Sequence, residues 1–446
     1  MNERQLPVTL HGQSLGHLTD GPDGRPILRW HTPGPWRLNS AVLSRHLRVG
    51  VESSDATESF FGGLLPEGVH LDRLAREVQT STTDLVGMFA AVGADLAGAL
   101  HVGQPREVGE PQRLEPAEVR ELLRQAPGFL VGGGGSALPG FQRKLTLTRQ
   151  DGGWVRGNGQ IASTHILKPV TSDLRAVVES EAYALALTRH MGLSPFASWV
   201  EDWDDLAVLI VQRYDRAPTP SGRIDRIHQE DLAQALGLPP HGDHKFEWYE
   251  PGASLTAIAA ELDDKATIFA PSGDREQLLR YVTVNVAVGN TDAHAKNYSL
   301  LHDERGGTRL APLYDIAPVA LGYNASDRLA MSINGKRHQG DITTEDLAAE
   351  AARWEIGEAR AIEIVGDTLE RLIEGTRTLP AHDSIEAHVP GYVRHQAQNL
   401  IEGKAARIDS YTPLMLLPRL GTPAGRVGEG GAFVSRDHPE SGADLR

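Results

Sequence analysis

One stretch of the chain, Val288-Gly289-Asn290-Thr291-Asp292-Ala293-His294-Ala295-Lys296-Asn297, constrains the possible folds more than any other. Strand-like Tyr298-Ser299-Leu300-Leu301 follows it, then a turn at Gly306-Gly307 and the run Leu310-Ala311-Pro312-Leu313-Tyr314-Asp315. An aspartate, a nearby asparagine and a second aspartate across a hairpin are what phosphoryl transfer asks of a protein. One carboxylate orients and deprotonates the attacking hydroxyl, while an amide oxygen and another carboxylate hold Mg²⁺ against the phosphates. Taken singly, Asp292 reads as a helix cap, Asn297 as a turn residue and Asp315 as a strand end, because Asp and Asn favour such places. Taken together with the apolar hairpin between them, they predict a site.

The Asp-x-x-x-x-Asn spacing matches the protein-kinase catalytic loop, and it directs attention to what else ATP would need. A cation must face the nucleotide phosphates. Lys168 ends the apolar run His165-Ile166-Leu167-Lys168, and Glu181 on the following helix is placed to orient it. A solvated strand-edge lysine would look the same in isolation. His294 and Lys296 either touch phosphate or brace the loop, and the sequence leaves both open. The run Gly132-Gly133-Gly134-Gly135-Ser136-Ala137-Leu138-Pro139-Gly140-Phe141 lets backbone N–H groups approach phosphate closely, yet a linker has the same composition. Gln212-Arg213-Tyr214-Asp215 would join two lobes and offer backbone groups to adenine. His228-Gln229-Glu230-Asp231 invites a metal reading, but reads better as capping and packing at the opening of a helix.

The rest of the chain predicts an α+β architecture with strands first and helices later. Two short strands are expected in residues 1–30. Helices are expected over Leu71–Val78, Thr83–Val92 and Glu179–Met191, the last closed by Gly192. Strands are expected at Lys144–Thr148, His165–Pro169, Ser198–Glu201 and Leu206–Val211, and mainly helix beyond 229, broken by a loop at 238–252. Residues 103–115 look like a boundary, and the Gly-, Pro- and charge-rich segment 419–446 like a disordered tail. A join near 212–230 implies two lobes around a cleft, where ligands tend to bind.

With 446 residues and 40% hydrophobic content, a large core needs no covalent staple. The absence of cysteine excludes disulfides, thiolate metal sites and cysteine nucleophiles, and fits a cytoplasmic setting. A net charge of −15 disfavours autonomous binding to nucleic acid. No stretch has the apolar length of a membrane span, and the first residues lack a secretory core.

Seven motifs, in order, resemble the HipA family of bacterial toxin kinases over residues 1–390. They are Phe-Phe-x-x-Leu-Leu-Pro-Glu-Gly (60–68), Val-Gly-Ala-Asp-Leu-Ala-Gly-Ala-Leu (92–100), Pro-Gly-Phe-Gln-Arg-Lys (139–144), Thr-His-Ile-Leu-Lys-Pro (164–169), His-Gln-Glu-Asp-Leu-Ala-Gln-Ala-Leu-Gly (228–237), Asn-Thr-Asp-Ala-His-Ala-Lys-Asn (290–297) and Leu-Ala-Pro-Leu-Tyr-Asp (310–315). The resemblance implies a bilobal protein-kinase-like fold. Its parts would be an N-terminal subdomain (1–105), a β-rich nucleotide-binding part (129–225) and a helical C-terminal lobe (226–402). It implies Asp292 as catalytic aspartate and Asn297 and Asp315 as Mg²⁺ ligands. ATP would contact Lys168, the loop residues Ala137, Leu138, Pro139, Gly140 and Phe141, then Gln212, Tyr214, His294, Lys296, Asn297 and Asp315. It implies a HipB-like helix-turn-helix antitoxin as partner, DNA contact only through that antitoxin, and an aminoacyl-tRNA synthetase, first of all the glutamyl enzyme, as substrate. One departure concerns self-phosphorylation. Relatives carry a serine three residues before the loop glycine, where this chain has Ala137, with Ser136 one step upstream as the candidate. Two other functions use many of the same residues: a small-molecule phosphotransferase, and a non-catalytic co-repressor that works with the antitoxin.

Overall fold

The computed structural model describes residues 4–31, 34–104, 111–125, 138–139, 142–157, 161–219, 223–262, 273–322 and 326–407. The glycine run 132–135 and the segment from 419 lie outside them. The first unit is a small sheet covered by helices. Strands β1 (Gln5–Leu10), β2 (Gln13–Asp20) and β3 (Pro26–Trp30) form an antiparallel meander, one strand more than expected. The short run after the Asp23-Gly24 turn is too brief to register as alternation in the sequence. Helices α1 (Ser54–Gly63), α2 (Val69–Glu77) and α3 (Leu85–Val92) follow, and β4 (Leu100–Val102) returns to pair with β1. Asp84 is the N-cap of α3 rather than part of it, its carboxylate accepting from the Gly87 N–H at 2.9 Å. Leu10, Leu18 and Leu28 of the sheet pack on Phe60, Phe61 and Phe89 of the helices, giving this unit its own core.

The second unit is a six-stranded antiparallel sheet ordered β5-β7-β6-β8-β10-β9. Its elements are β5 (Gln112–Leu114), α4 (Pro116–Gln125), β6 (Leu145–Gln150), β7 (Gly153–Arg156), β8 (His165–Thr171), α5 (Arg175–His190), β9 (Ser198–Trp203) and β10 (Leu206–Gln212). Side chains alternate across each strand, so its faces build separate cores. Leu167, Val208 and Ile210 pack with α4, while Val170, Ala207 and Leu209 pack with Val178 of α5. Lys168 shares the parity of Val170, which sends it to the α5 side.

Strands β11 (Arg216–Pro218) and β12 (Ile224–Arg226) lead into the third unit. It opens with β13 (His228–Asp231), α6 (Leu232–Ala235), α7 (Leu255–Glu261) and α8 (Asp274–Val288). The sheet β13-β14-β15 is completed by β14 (Ser299–His302) and β15 (Thr308–Leu310). A hairpin of β16 (Arg328–Ile333) and β17 (Lys336–His338) and helices α9 (Thr344–Ala352), α10 (Glu358–Thr378), α11 (Asp383–Glu386) and α12 (Val389–Ile401) finish it. Residues 228–231 form a strand that runs directly into α6, and they cap and pack as expected: Asp231 accepts from the Gln234 N–H at 2.8 Å, while His228 and Glu230 are buried.

The first unit is fastened to the join between the other two by buried charge. Asp215 accepts from the Gly98 N–H at 2.8 Å, Arg216 reaches Asp95 at 3.1 Å, and both Arg213 and Arg216 donate to the Leu96 carbonyl. Gly98 has φ +74, and a Cβ there would lie 2.7 Å from the Gln229 backbone nitrogen, so the close approach demands glycine. Arg45 N–H donates to Glu230 at 2.7 Å, and His228 bonds the Leu43 carbonyl at 2.7 Å.

Candidate active site

The cleft is built from the middle of β8 and of α5 on one side and the loop after α8 on the other. Lys168 reaches across it: its ammonium donates to Glu181 Oε1 at 2.6 Å and to Asp315 Oδ1 at 2.7 Å. Glu181 is there because Val178, Ala184 and Leu185 occupy the same buried face of α5, three or four residues away. Burial works against the Lys168 charge, but Asp315 and Glu181 together hold its pKa above the usual lysine range. The Asp315 side chain is 43% exposed, opening into the cleft. Removal from bulk water opposes its charge as well, yet Lys168 keeps the carboxyl below the usual range. Asp315 sits at φ +53, in the left-handed region that a non-glycine residue seldom occupies.

The other wall begins where α8 stops. Gly289, at φ +80, closes the helix by donating to the Asn285 and Val286 carbonyls; a Cβ there would meet the Tyr392 hydroxyl at 2.5 Å. Asn290 then ties the loop to its surroundings, donating to Asn285 Oδ1 at 2.9 Å and to the Asp315 carbonyl at 3.4 Å. Asn297 is fixed at both ends of its amide: Oδ1 accepts from the His294 N–H at 3.2 Å, and Nδ2 donates to Asp315 Oδ2 at 3.1 Å. Asp292 lies between, half-buried. Burial pushes its carboxyl up to about 8; Lys245 pulls it down, while Asp315 and Glu67 push it further up.

Two residues at this wall escape sequence reasoning. Glu67, from the turn between α1 and α2, accepts from Lys296 at 3.0 Å and from Lys245 at 2.9 Å, all three side chains being buried. Lys296 donates also to the Pro240 carbonyl at 2.9 Å, so its ammonium braces the loop in this structure. Burial opposes the Glu67 charge, but the two lysines hold the carboxyl well below the usual range. His294 is buried edge-on against Phe246, ring centroids 5.3 Å apart, and burial leaves it neutral. The clue to Glu67 lay in the Leu-Leu-Pro-Glu-Gly motif, which in sequence carries no sign of its distant lysines.

Gln212 and Tyr214 line the same cleft. The Gln212 N–H is engaged by the Ala197 carbonyl at 2.8 Å, so this backbone donor faces β9 rather than a base. An aromatic wall stands beside it: Tyr214 lies 6.0 Å from Phe196 and 5.6 Å from Tyr314, centroid to centroid. Leu138, Pro139 and Lys144 border the opening, and burial followed by the nearby Lys168 lowers the Lys144 ammonium to about 8. Ser136, Ala137, Gly140 and Phe141 lie outside the described residues.

The donor set suits a hard divalent cation carried in by phosphates. Asn297 and Asp315 bring an amide and a carboxylate within hydrogen-bonding distance of each other, matching the one or two protein ligands Mg²⁺ takes at such sites. Among the described residues no group of three or more His, Cys, Asp or Glu is arranged to hold a metal.

Residues 6–103 match the model of the HipA N-terminal domain and residues 136–375 that of the HipA-like C-terminal domain. The protein Y4mE of Sinorhizobium fredii is 32% identical over 352 residues, 76% of this chain and 82% of Y4mE. The serine/threonine-protein kinase toxin HipA of Shewanella oneidensis is 25% identical over 339 residues, 72% of this chain and 76% of the toxin. In three dimensions the chain is similar to a toxin chain in the solved complex of HipA, HipB and operator DNA from Shewanella oneidensis MR-1. That match has a TM-score of 0.75 at 22% identity, covering 91% of this chain and 98% of that one.

Proposed function

Because this chain belongs to the HipA family, we propose that it is a Mg²⁺- and ATP-dependent serine/threonine protein kinase acting as the toxin of a toxin–antitoxin pair. The observation that carries the reading is the meeting of Asn297, Asp315 and the Lys168–Glu181 pair in one cleft, with Asp292 near enough for the Asp315 charge to act on it. Asp292 orients the acceptor hydroxyl and takes its proton, a task for which a raised pKa is apt, since the proton must be held once transferred. Asn297 and Asp315 hold Mg²⁺, which when bound neutralises phosphate charge. Lys168 steadies the phosphates and Glu181 keeps its ammonium aimed. The Tyr214–Phe196–Tyr314 wall gives the adenine an apolar surface.

The acceptor we propose is a serine or threonine of an aminoacyl-tRNA synthetase in the cytoplasm, the glutamyl enzyme first. The Shewanella neighbour is solved with HipB and operator DNA. By analogy a HipB-like antitoxin would neutralise this chain and carry any DNA contact, which the net charge of −15 does not favour directly. Self-phosphorylation at Ser136 is part of the proposal.

The test is transfer of label from [γ-³²P]ATP with Mg²⁺ in a lysate, comparing wild type with Asp292→Asn and mapping phosphopeptides. A labelled synthetase band seen only with wild type supports the kinase. No transfer by wild type, with ATP binding intact, sinks it in favour of a co-repressor role.

A further inference from the structure

The Glu67 contacts join parts of the molecule that are 178 and 229 residues apart in sequence and meet only in the folded protein. They reach the catalytic loop by three routes. Lys296 directly precedes Asn297, and its carbonyl accepts from the Tyr314 hydroxyl at 2.7 Å, next to Asp315. The Lys245 carbonyl accepts from the Ala295 N–H at 3.2 Å, and Phe246 braces His294. The Lys245 ammonium, finally, is the main attraction acting on the Asp292 charge. Any displacement of Glu67 is thus passed to Asn297 through Lys296, and to Ala295 and His294 through Lys245 and Phe246.

Stability alone is a poor reason for such a group. Buried ion pairs and triads are commonly matched or bettered by apolar side chains of similar size, so a packing role would not require charge here. What charge supplies is register. Glu67 stands where the chain turns between Pro66 and Gly68, the latter at φ +54, and its two oxygens take one lysine each. A carboxylate that receives two directed donors fixes both of them in position as well as in energy.

We propose that Glu67, contributed by the N-terminal unit, is a positioning residue for phosphoryl transfer, clamping the catalytic loop directly through Lys296 and, through Lys245, at the Ala295 N–H. The proposal rests on the kinase reading and deepens it: the N-terminal unit completes the active site as well as standing beside it.

The experiment measures kcat, ATP KM and ATP Kd for the full-length wild type, Glu67→Gln and Glu67→Asp, with amide hydrogen exchange of residues 291–297. Glu67→Gln keeps shape and removes charge. Its kcat is expected to fall roughly 10–100-fold with ATP Kd within about threefold of wild type, the signature of an interaction that matters in the transition state. Exchange at 291–297 is expected to rise while that of α10 stays constant, and Glu67→Asp to recover part of kcat. A folded Glu67→Gln with wild-type kcat and unchanged exchange overturns the clamp. Should that variant not fold, Lys245→Met, which leaves the Glu67–Lys296 pair in place, decides by the same criteria. If wild type itself transfers no phosphate, the kinase reading fails and takes this role with it. If wild type is active and the variants match it, only the clamp fails.

Discussion

Two ion triads flank the catalytic loop, and they are built in opposite senses. In the first, one lysine, Lys168, is shared by two carboxylates, Glu181 and Asp315, leaving a net negative charge that opens into the cleft through Asp315. In the second, one carboxylate, Glu67, is shared by two lysines, Lys245 and Lys296, leaving a net positive charge almost wholly buried in the cleft wall. An open negative group beside an amide suits a divalent cation, whereas a closed positive group suits the fixing of backbone and the biasing of Asp292. The contrast teaches that similar ion pairs serve different ends according to which partner is in the minority and whether solvent reaches it.

The sharpest way to break this comparison is to remove the minority partner of the open triad. Lys168→Met leaves two carboxylates without their cation, and kcat/KM for ATP is expected to fall about 10³-fold, roughly 4 kcal/mol of transition-state stabilisation. Stability should fall as well, because Glu181 is left buried without its cation, whereas the freed Asp315 is already in contact with solvent. Steady-state kinetics with a parallel melting curve checks both halves; a large melting shift with modest kinetic loss would invert the assignment.

Lys296→Met tests the closed triad on the other axis. It removes one of two cations from an almost wholly buried carboxylate, and about 3 kcal/mol of stability is expected to go, as when a buried pair is broken. Urea unfolding of the two proteins gives the number, and a loss below ~1 kcal/mol would show that the triad relaxes or hydrates freely.

The smallest effect concerns Asp292 between them. Its folded-state pKa, about 8, lies above its unfolded value, so the folded protein retains a proton that the unfolded chain gives up. Stability is therefore lost as pH rises from about 4 to about 8, the ordinary and the raised value. Asp292→Asn removes that loss. Because Asp292 is half-exposed, solvent screens much of that shift, and the variant's melting temperature should exceed that of metal-free wild type by only about 1–3 °C at pH 9, the gap narrowing towards pH 5. Calorimetry at the two pH values checks this, and a gap that widens on acidification would contradict the raised pKa.

The open triad was largely legible in the sequence because its members announce themselves locally. Lys168 follows an apolar run, although β8 continues past it to Thr171, Glu181 lies on the next helix, and Asp292, Asn297 and Asp315 hold fixed spacings across a short hairpin. The closed triad was not. Glu67 sits in a motif with no ionic signature of its own, and Lys245 falls in the 238–252 stretch that reads only as a break between helices. The third strand of the N-terminal meander and the strand at 228–231 were missed for a related reason: short strands are specified by their partners more than by their own residues.

The sequence by itself determined the local alternation and capping, the α+β order of elements, and the set of residues suited to phosphoryl transfer. These depend on side chains within a few turns or strands of one another, where spacing alone sets direction. The tertiary structure alone decided that the N-terminal unit reaches the catalytic loop, that Lys296 braces rather than points freely into the cleft, and that Asp292 is half-buried between opposite charges. Charge and burial are properties of what surrounds a residue, and in this protein much of that surrounding comes from residues more than 150 positions away in the chain.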